Sequence, residues 1–143
     1  MNDVNYARMC KTTIRGEAAL AGGTPAPASV WAMSVAVEPG DLASVAAAHG
    51  LTAFVLTVGD DGRTRVIHVK VDIDDRGVIR AVVGRGAAAN AVARPDVVVL
   101  WSPAADGFSL IADGVASVDG EPRPETPLTV EVFSAVRHRP APV

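Results

Sequence analysis

Short segments rich in β-branched residues follow one another from residue 53 to residue 138, with turn-forming residues between them. Most are the length of one strand and are too short for a typical helix. They cover residues 53–58, 65–73, 78–83, 96–101, 108–120 and 128–138. Six short strands joined by tight turns predict a mainly β fold: a small antiparallel barrel with small peripheral helices.

The second segment has two different faces. The turn GDDGRT at residues 59–64 joins it to the first segment and predicts a β-hairpin. Alternate residues of a strand share a face. One face carries Arg65, Ile67, Val69, Val71 and Ile73, and the other carries Val66, His68, Lys70 and Asp72. We expect the first face to line the core and the second, which is unusually polar in mid-strand, to face a groove.

Two short helices are predicted beside the strands. The first covers PGDLASVAAAHG at residues 39–50, with Asp41 as the N-cap and Gly50 at the end. The second covers residues 87–93 and stops at the sequence RPD. The strand DVVVLW at residues 96–101 is apolar on both faces, so we expect the barrel interior to cover one face and a partner subunit the other.

The first 32 residues differ in composition from the rest. They show no sustained hydrophobic periodicity of a helix or a strand. They end in GGTPAPAS, a composition typical of a linker or a disordered segment. We therefore predict a poorly ordered extension over residues 1–32 and one barrel domain over residues 33–143, because a chain of 143 residues can bury a single core.

Charge and composition argue against several classes of function. The net charge is −3 and the arginines are scattered, so no nucleic-acid partner is expected. No apolar run long enough to span a membrane occurs, and no signal-peptide block is evident, which predicts a cytoplasmic protein. One cysteine and three widely separated histidines predict no metal site.

The stretch VVGRGAAANAVARPD at residues 82–96 contains a glycine turn between a strand and a helix. The pattern Gly84-x-Gly86-x-x-Ala89 matches a dinucleotide fingerprint, in which free N–H groups receive a pyrophosphate. A dinucleotide fold also needs a long crossover helix and a parallel second strand, and this sequence predicts neither. The turn is therefore a candidate phosphate loop inside an antiparallel barrel.

The order of these motifs carries a resemblance. The patterns A-F-x-x-T-V, G-x-D-G-R and R-V-x-x-V-K are followed by the Gly/Arg-rich turn, a short helix ending in R-P-D-V, and the terminal A-V-x-H-R-P. From about residue 42 to the C-terminus this order resembles the pyridoxamine 5′-phosphate oxidase-like family of flavin-binding split β-barrels.

The resemblance implies a homodimer with cofactor sites at the subunit interface, holding FMN or a deazaflavin coenzyme, and two-electron chemistry on a small molecule. It aligns Arg65 and Lys70 with residues beside the flavin, and Arg85 with the turn that receives the phosphate. Trp101 is a candidate for stacking on a planar ring. The expected cofactor-binding residues are Arg65, Val66, Ile67, His68, Lys70, Val83, Gly84, Arg85, Gly86, Ala87, Ala88 and Trp101.

One departure from that family pattern weakens the expected phosphate site. Relatives follow the glycine turn with a hydroxyl residue and then a cation, whereas this chain has alanine at residues 87–89. Two lost charge-assisted hydrogen bonds are worth roughly 3 to 6 kcal/mol, or two to four orders of magnitude in affinity. Three alternatives remain open: weak flavin binding, a ligand whose phosphate lies elsewhere, or a non-catalytic dimeric binding or scaffold protein that has lost the cofactor.

Overall fold

The computed structural model describes residues 33–142, which contain seven strands and two α-helices. In chain order these are β1 (Ser34–Ala36), a 3-10 turn (Pro39–Asp41), α1 (Leu42–Ala47), β2 (Thr52–Val58), β3 (Thr64–Ile73), β4 (Ile79–Val83), α2 (Arg85–Ala93), β5 (Asp96–Trp101), β6 (Ser109–Val118) and β7 (Thr126–His138). The predicted N-terminal extension, residues 1–32, lies outside the described residues.

Six of the strands close into an antiparallel barrel. Their order is β7-β4-β3-β2-β5-β6, and β6 pairs with β7 to complete the circle. The predicted mainly β barrel with small helices is therefore confirmed.

Strand β7 pairs with three other strands. Residues 126–130 pair with β4, residues 136–138 pair with β1, and β6 runs along the opposite edge. The register of β6 against β7 shifts between Asp113 and Gly114, which places a β-bulge there. A Cβ at Gly114 would lie 2.7 Å from the carbonyl oxygen of Glu131, so only glycine fits this close approach.

Alternation along the strands fills the barrel. Ala53, Val55 and Thr57 of β2 point inward and are buried, as do Val97, Val99 and Trp101 of β5. The core face predicted for β3 is half-buried from Ile67 to Ile73, and the opposite face from Val66 to Asp72 is exposed.

Both helices cover ends of this core with small apolar side chains. Helix α1 buries Leu42 and Ala46, and α2 buries Ala88 and Ala91. Neither helix, nor any other between residues 33 and 142, has the length and apolar character required to cross a membrane.

Candidate functional site

The glycine turn and the start of β3 face each other across a cleft, here called the α2–β3 cleft. Its volume is about 590 Å³, within the range of small-molecule sites. It is lined by Gly59, Asp60, Asp61, Arg65, Val66, Ile67, Gly86, Ala87 and Asn90. The fold therefore brings together five of the residues that the sequence predicted, from two distant segments of the chain.

Helix α2 presents free backbone donors at this cleft. Gly84 is its N-cap and makes no side-chain capping bond, and the first i to i−4 bond runs from the N–H of Ala88 to the carbonyl of Gly84, at 3.0 Å. The N–H groups of Arg85, Gly86 and Ala87 precede that bond and have no partner within the helix. A Cβ at Gly84 or Gly86 would meet no atom within 4 Å, so the packing of the chain does not require these glycines. They leave the backbone open to a ligand.

Two side chains fix α2 against the β2–β3 hairpin. The amide of Asn90 donates to the hydroxyl of Thr57 at 3.1 Å, and Nε of Arg94 donates to the carbonyl of Val58 at 2.7 Å. Nη2 of Arg94 donates to Oδ1 of Asp60 at 2.7 Å. These contacts set the width of the α2–β3 cleft.

The charges inside the cleft are largely balanced. Arg65 donates from Nη2 to Oδ2 of Asp61 at 2.8 Å, and the backbone N–H of Arg63 donates to the other carboxylate oxygen at 3.0 Å. The Arg63 N–H, followed by the Arg65 guanidinium, lowers the pKa of Asp61. Asp60 is paired with Arg94. Arg85 does not line the cleft itself but is exposed at the start of α2, next to Gly86. Within the described residues it makes no ion pair, so it is the cation of the turn that is free to bind a ligand anion.

A second depression, the β3–β4 groove, continues along the outer face of β3. Its volume is about 650 Å³. It is lined by Leu51, His68, Val69, Lys70, Val71, Asp72, Arg80, Ala81, Val82, Pro127, Leu128 and Thr129. Because Val66 in the first cleft and His68 and Lys70 in the second alternate along one strand, they share a face. The two depressions therefore adjoin.

His68 and Lys70 differ in how firmly they are held. His68 stacks on Phe54 with ring centroids 4.6 Å apart, and its Nε2 lies 2.9 Å from the hydroxyl oxygen of Thr52. Lys70 is exposed, and its ammonium group makes no hydrogen bond or ion pair among residues 33–142. The groove thus offers a fixed imidazole and an available ammonium group.

Comparison with known proteins addresses the fold. The sequence matches no protein-family model and no curated protein. A candidate pyridoxamine 5′-phosphate oxidase from Listeria innocua superposes with a TM-score of 0.56 at 14% identity, covering 70% of this chain and 98% of that chain. A general stress protein 26-related protein of the pyridoxinephosphate oxidase family from Clostridium acetobutylicum gives 0.58 at 8% identity, covering 72% and 91%. The fold is that of the pyridoxamine 5′-phosphate oxidase-like split barrels.

The resemblance read from the sequence is thus confirmed for the fold. A heme binding protein from Mycobacterium smegmatis also shares the split barrel, with a TM-score of 0.55 at 13% identity, covering 71% of this chain and 54% of that chain. Proteins with this architecture therefore carry different functional descriptions, and the ligand has to be argued from the residues of each chain.

Three predicted site residues have side chains in the core of the split barrel. Val83 is 2% exposed, and Ala88 and Trp101 are completely buried. Trp101 points inward because it alternates with Leu100 at the end of β5, so its ring packs in the core and is not available to stack on a ligand. The N–H of Ala88 is also used, since it bonds to Gly84 within the helix.

Asp60, Asp61 and Asn90 line the cleft although the sequence pattern does not mark them as site residues. The sequence of residues 59–64 predicts only a turn, where aspartate is common because its side chain bonds to the local backbone. The i to i+4 spacing of Asp61 and Arg65 across that turn was the available signal for their ion pair. Asn90 had no signal in the sequence, because its role depends on where α2 packs. Within the described residues no group of three or more potential metal-ligating side chains is placed to hold a metal ion.

Proposed function

We propose that this split barrel binds a flavin-type coenzyme, FMN or a deazaflavin, and acts as an oxidoreductase on a small molecule. One observation carries the proposal: a cleft with free helix N–H groups adjoins a groove with an unpaired lysine along one face of β3. An elongated coenzyme with an anionic tail and a planar ring needs these two environments side by side.

The residues fit such a coenzyme in part. The N–H groups of Gly86 and Ala87 and the side chain of Arg85 would receive the phosphate. His68 and Lys70 would lie beside the ring, where a cation and a fixed donor or acceptor orient it. A bound flavin would supply two-electron transfer, so the chain itself needs no nucleophile. The protein's contribution would be binding, orientation and the local charge.

The same proposal includes a homodimer. Val98 and Leu100 of β5 lie on the outer face, opposite Leu56 and Phe54 of β2, and all four are only partly buried in the single chain. Val66, on the neighbouring strand, is 57% exposed. A second subunit on this face would cover apolar area that water otherwise contacts, and would close the groove over a bound ring.

A second candidate function is a non-catalytic dimeric binding protein that has lost the coenzyme. The observation that favours it concerns the cleft: Ala87 stands where the resemblance implies a hydroxyl, and Arg65 and Arg94 are paired with Asp61 and Asp60. This candidate predicts an intact barrel with no flavin affinity.

Titration of the purified protein with FMN, riboflavin and a deazaflavin coenzyme separates the two functions. Saturable quenching of coenzyme fluorescence supports the oxidoreductase, and no binding of any of the three at high micromolar concentration supports the binding protein. Hemin is titrated in parallel because a protein of this fold is described as heme binding. Hemin binding without flavin binding would replace the proposal.

A further inference from the structure

The ion pair between Asp61 and Arg65 lies in the wall of the α2–β3 cleft. Asp61 uses both carboxylate oxygens: one accepts from Nη2 of Arg65 at 2.8 Å and the other from the backbone N–H of Arg63 at 3.0 Å. The side chains are 46% and 50% exposed, so the pair borders on solvent at the cleft. The carboxylate therefore occupies the position that a ligand anion would take on Arg65.

Of the other cationic side chains near the cleft, some are paired with a carboxylate and some are not. Arg94 is bound to Asp60 and to the carbonyl of Val58, so it holds α2 in place. Arg85 and Lys70 make no ion pair in the described part of the chain. Arg65 is thus the cleft arginine that a ligand could recruit only by displacing a carboxylate.

We infer that Asp61 is a specificity-determining residue of the cleft, which occupies Arg65 and selects against ligands that bring a phosphate dianion between β3 and α2. This inference rests on the proposed function for its ligand class and concerns the same site. Its consequence is that Asp61 offsets part of the affinity that Arg85 and the helix N–H groups give the phosphate, so FMN should bind the wild-type protein only slightly more tightly than riboflavin.

Electrostatics explains why a carboxylate here would matter. A half-exposed ion pair contributes little to stability, so breaking it is not the main obstacle. The obstacle is the negative charge itself, since a carboxylate and a phosphate dianion a few ångströms apart repel each other even when water screens them. The lowered pKa of Asp61 keeps this charge in place at neutral and mildly acidic pH.

The test is the ratio of the FMN and riboflavin dissociation constants in the variant Asp61→Asn. The amide retains an oxygen acceptor for the Arg63 N–H, which preserves the turn, and removes the charge. We expect FMN to bind about three- to tenfold more tightly, with riboflavin unchanged. Asp75→Asn is the matched control, because Asp75 is exposed, makes no ion pair among the described residues and lies outside both depressions.

A second substitution assigns the effect to Arg65. In the Asp61→Asn background, Arg65→Gln should abolish the gain of FMN over riboflavin, so that the ratio of the two dissociation constants returns to its wild-type value. An unaltered FMN to riboflavin ratio in Asp61→Asn would overturn the inference, as would an equal gain in Asp75→Asn, since that would indicate a general charge effect.

Inorganic phosphate is the probe that separates this inference from the proposed function. Titration followed by NMR of the Arg65 side-chain Nε–Hε group and the amides of Gly86 and Ala87 should show stronger phosphate-dependent shifts in Asp61→Asn than in wild type. This result without flavin binding to either protein would reject the proposed coenzyme and support the role of Asp61. Equal shifts in both proteins would reject that role whether or not flavin binds.

Discussion

The side-chain amide of Asn90 donates a 3.1 Å hydrogen bond to the hydroxyl of Thr57, which joins the middle of α2 to a core-facing position of β2. Thr57 is 2% exposed, so its hydroxyl has no ready access to water. Asn90 also lines the α2–β3 cleft. One polar pair therefore both satisfies a buried hydroxyl and sets the position of the helix whose N-terminus faces the cleft.

Removal of the Asn90 amide should destabilise the fold. We expect Asn90→Ala to lower the free energy of unfolding by about 1 to 3 kcal/mol, because the Thr57 hydroxyl stays buried without a partner. Urea denaturation measures the change. Adding Thr57→Val, an apolar replacement of similar shape, should recover part of the loss. Equal stabilities of the single and double variants would show that the hydroxyl is satisfied in another way.

Replacement of the free arginine of the glycine turn should weaken binding of a phosphate-bearing coenzyme. Arg85→Ala removes a charge-assisted hydrogen bond, and we expect FMN affinity to fall by about tenfold. Riboflavin affinity should not change, because riboflavin lacks the phosphate. Arg123→Ala is the control, since Arg123 lies in the loop between β6 and β7, where its guanidinium donates to the carbonyl of Asp119, and not at the glycine turn. Loss of affinity for both flavins alike would place Arg85 beside the ring.

Restoring a hydroxyl at the start of α2 should strengthen the phosphate site. Ala87 lines the cleft, and Ala87→Ser adds a donor that we expect to raise FMN affinity by about three- to tenfold. Ala93→Ser adds the same group at the far end of the helix and should have no effect on binding. Fluorescence titration of both variants gives the comparison, and an equal change in both would assign the effect to the helix as a whole.

Much of the barrel could be predicted from the sequence because strong local signals specify it. The sequence predicts strands over residues 53–58, 65–73 and 96–101, and the structure has Thr52–Val58, Thr64–Ile73 and Asp96–Trp101. In each case a segment of β-branched residues is bounded by turn-forming residues or glycine. The local preference for a strand therefore agrees with the pairing of that strand in the barrel.

The remaining features depend on partners distant in sequence. Strand β1 has three residues, too few to show a period, and exists because the end of β7 pairs with it. The burial of Trp101 depends on which face of β5 meets the interior, a choice that a strand apolar on both sides does not reveal. The pairing of Arg65 with Asp61 depends on the conformation of the turn between them. The sequence therefore predicts the strands of the barrel better than it predicts which charged side chains of the cleft pair with each other.

The turn between β3 and β4 should make stability depend on acid pH through Asp74. Its Oδ1 accepts from the N–H groups of Val78 and Arg76 at 3.0 and 2.9 Å. These bonds, that of Val78 first, lower its pKa below the ordinary 3.8. A lowered folded-state pKa gives stability that is complete above 3.8 and is lost as the pH falls through the folded value.

The variant Asp74→Asn isolates this contribution. Wild type should be more stable than Asp74→Asn at neutral pH, and the difference should shrink towards zero as the pH falls below the folded pKa of Asp74. Urea midpoints measured across this range provide the check, with Asp75→Asn as the neighbouring control, because Asp75 makes no ion pair among the described residues. A difference that is constant with pH would show that the charge of Asp74 is not involved.

Gly77, in the turn between β3 and β4, packs closely against the 3-10 turn that precedes α1. Gly77 has a φ of +84°, and a Cβ there would lie 2.9 Å from the carbonyl carbon of Pro39 and closer still to its oxygen. Gly62, in the β2–β3 turn, has a similar φ of +76° with no atom within 4 Å of the added Cβ.

We expect Gly62→Ala to lower the free energy of unfolding by about 1 kcal/mol through backbone strain alone. Gly77→Ala should lose about 3 kcal/mol or more, because strain and a backbone clash combine. Equal losses in thermal and urea unfolding would mean that the Pro39 segment moves away freely, and that the β3–β4 turn does not hold it against the barrel.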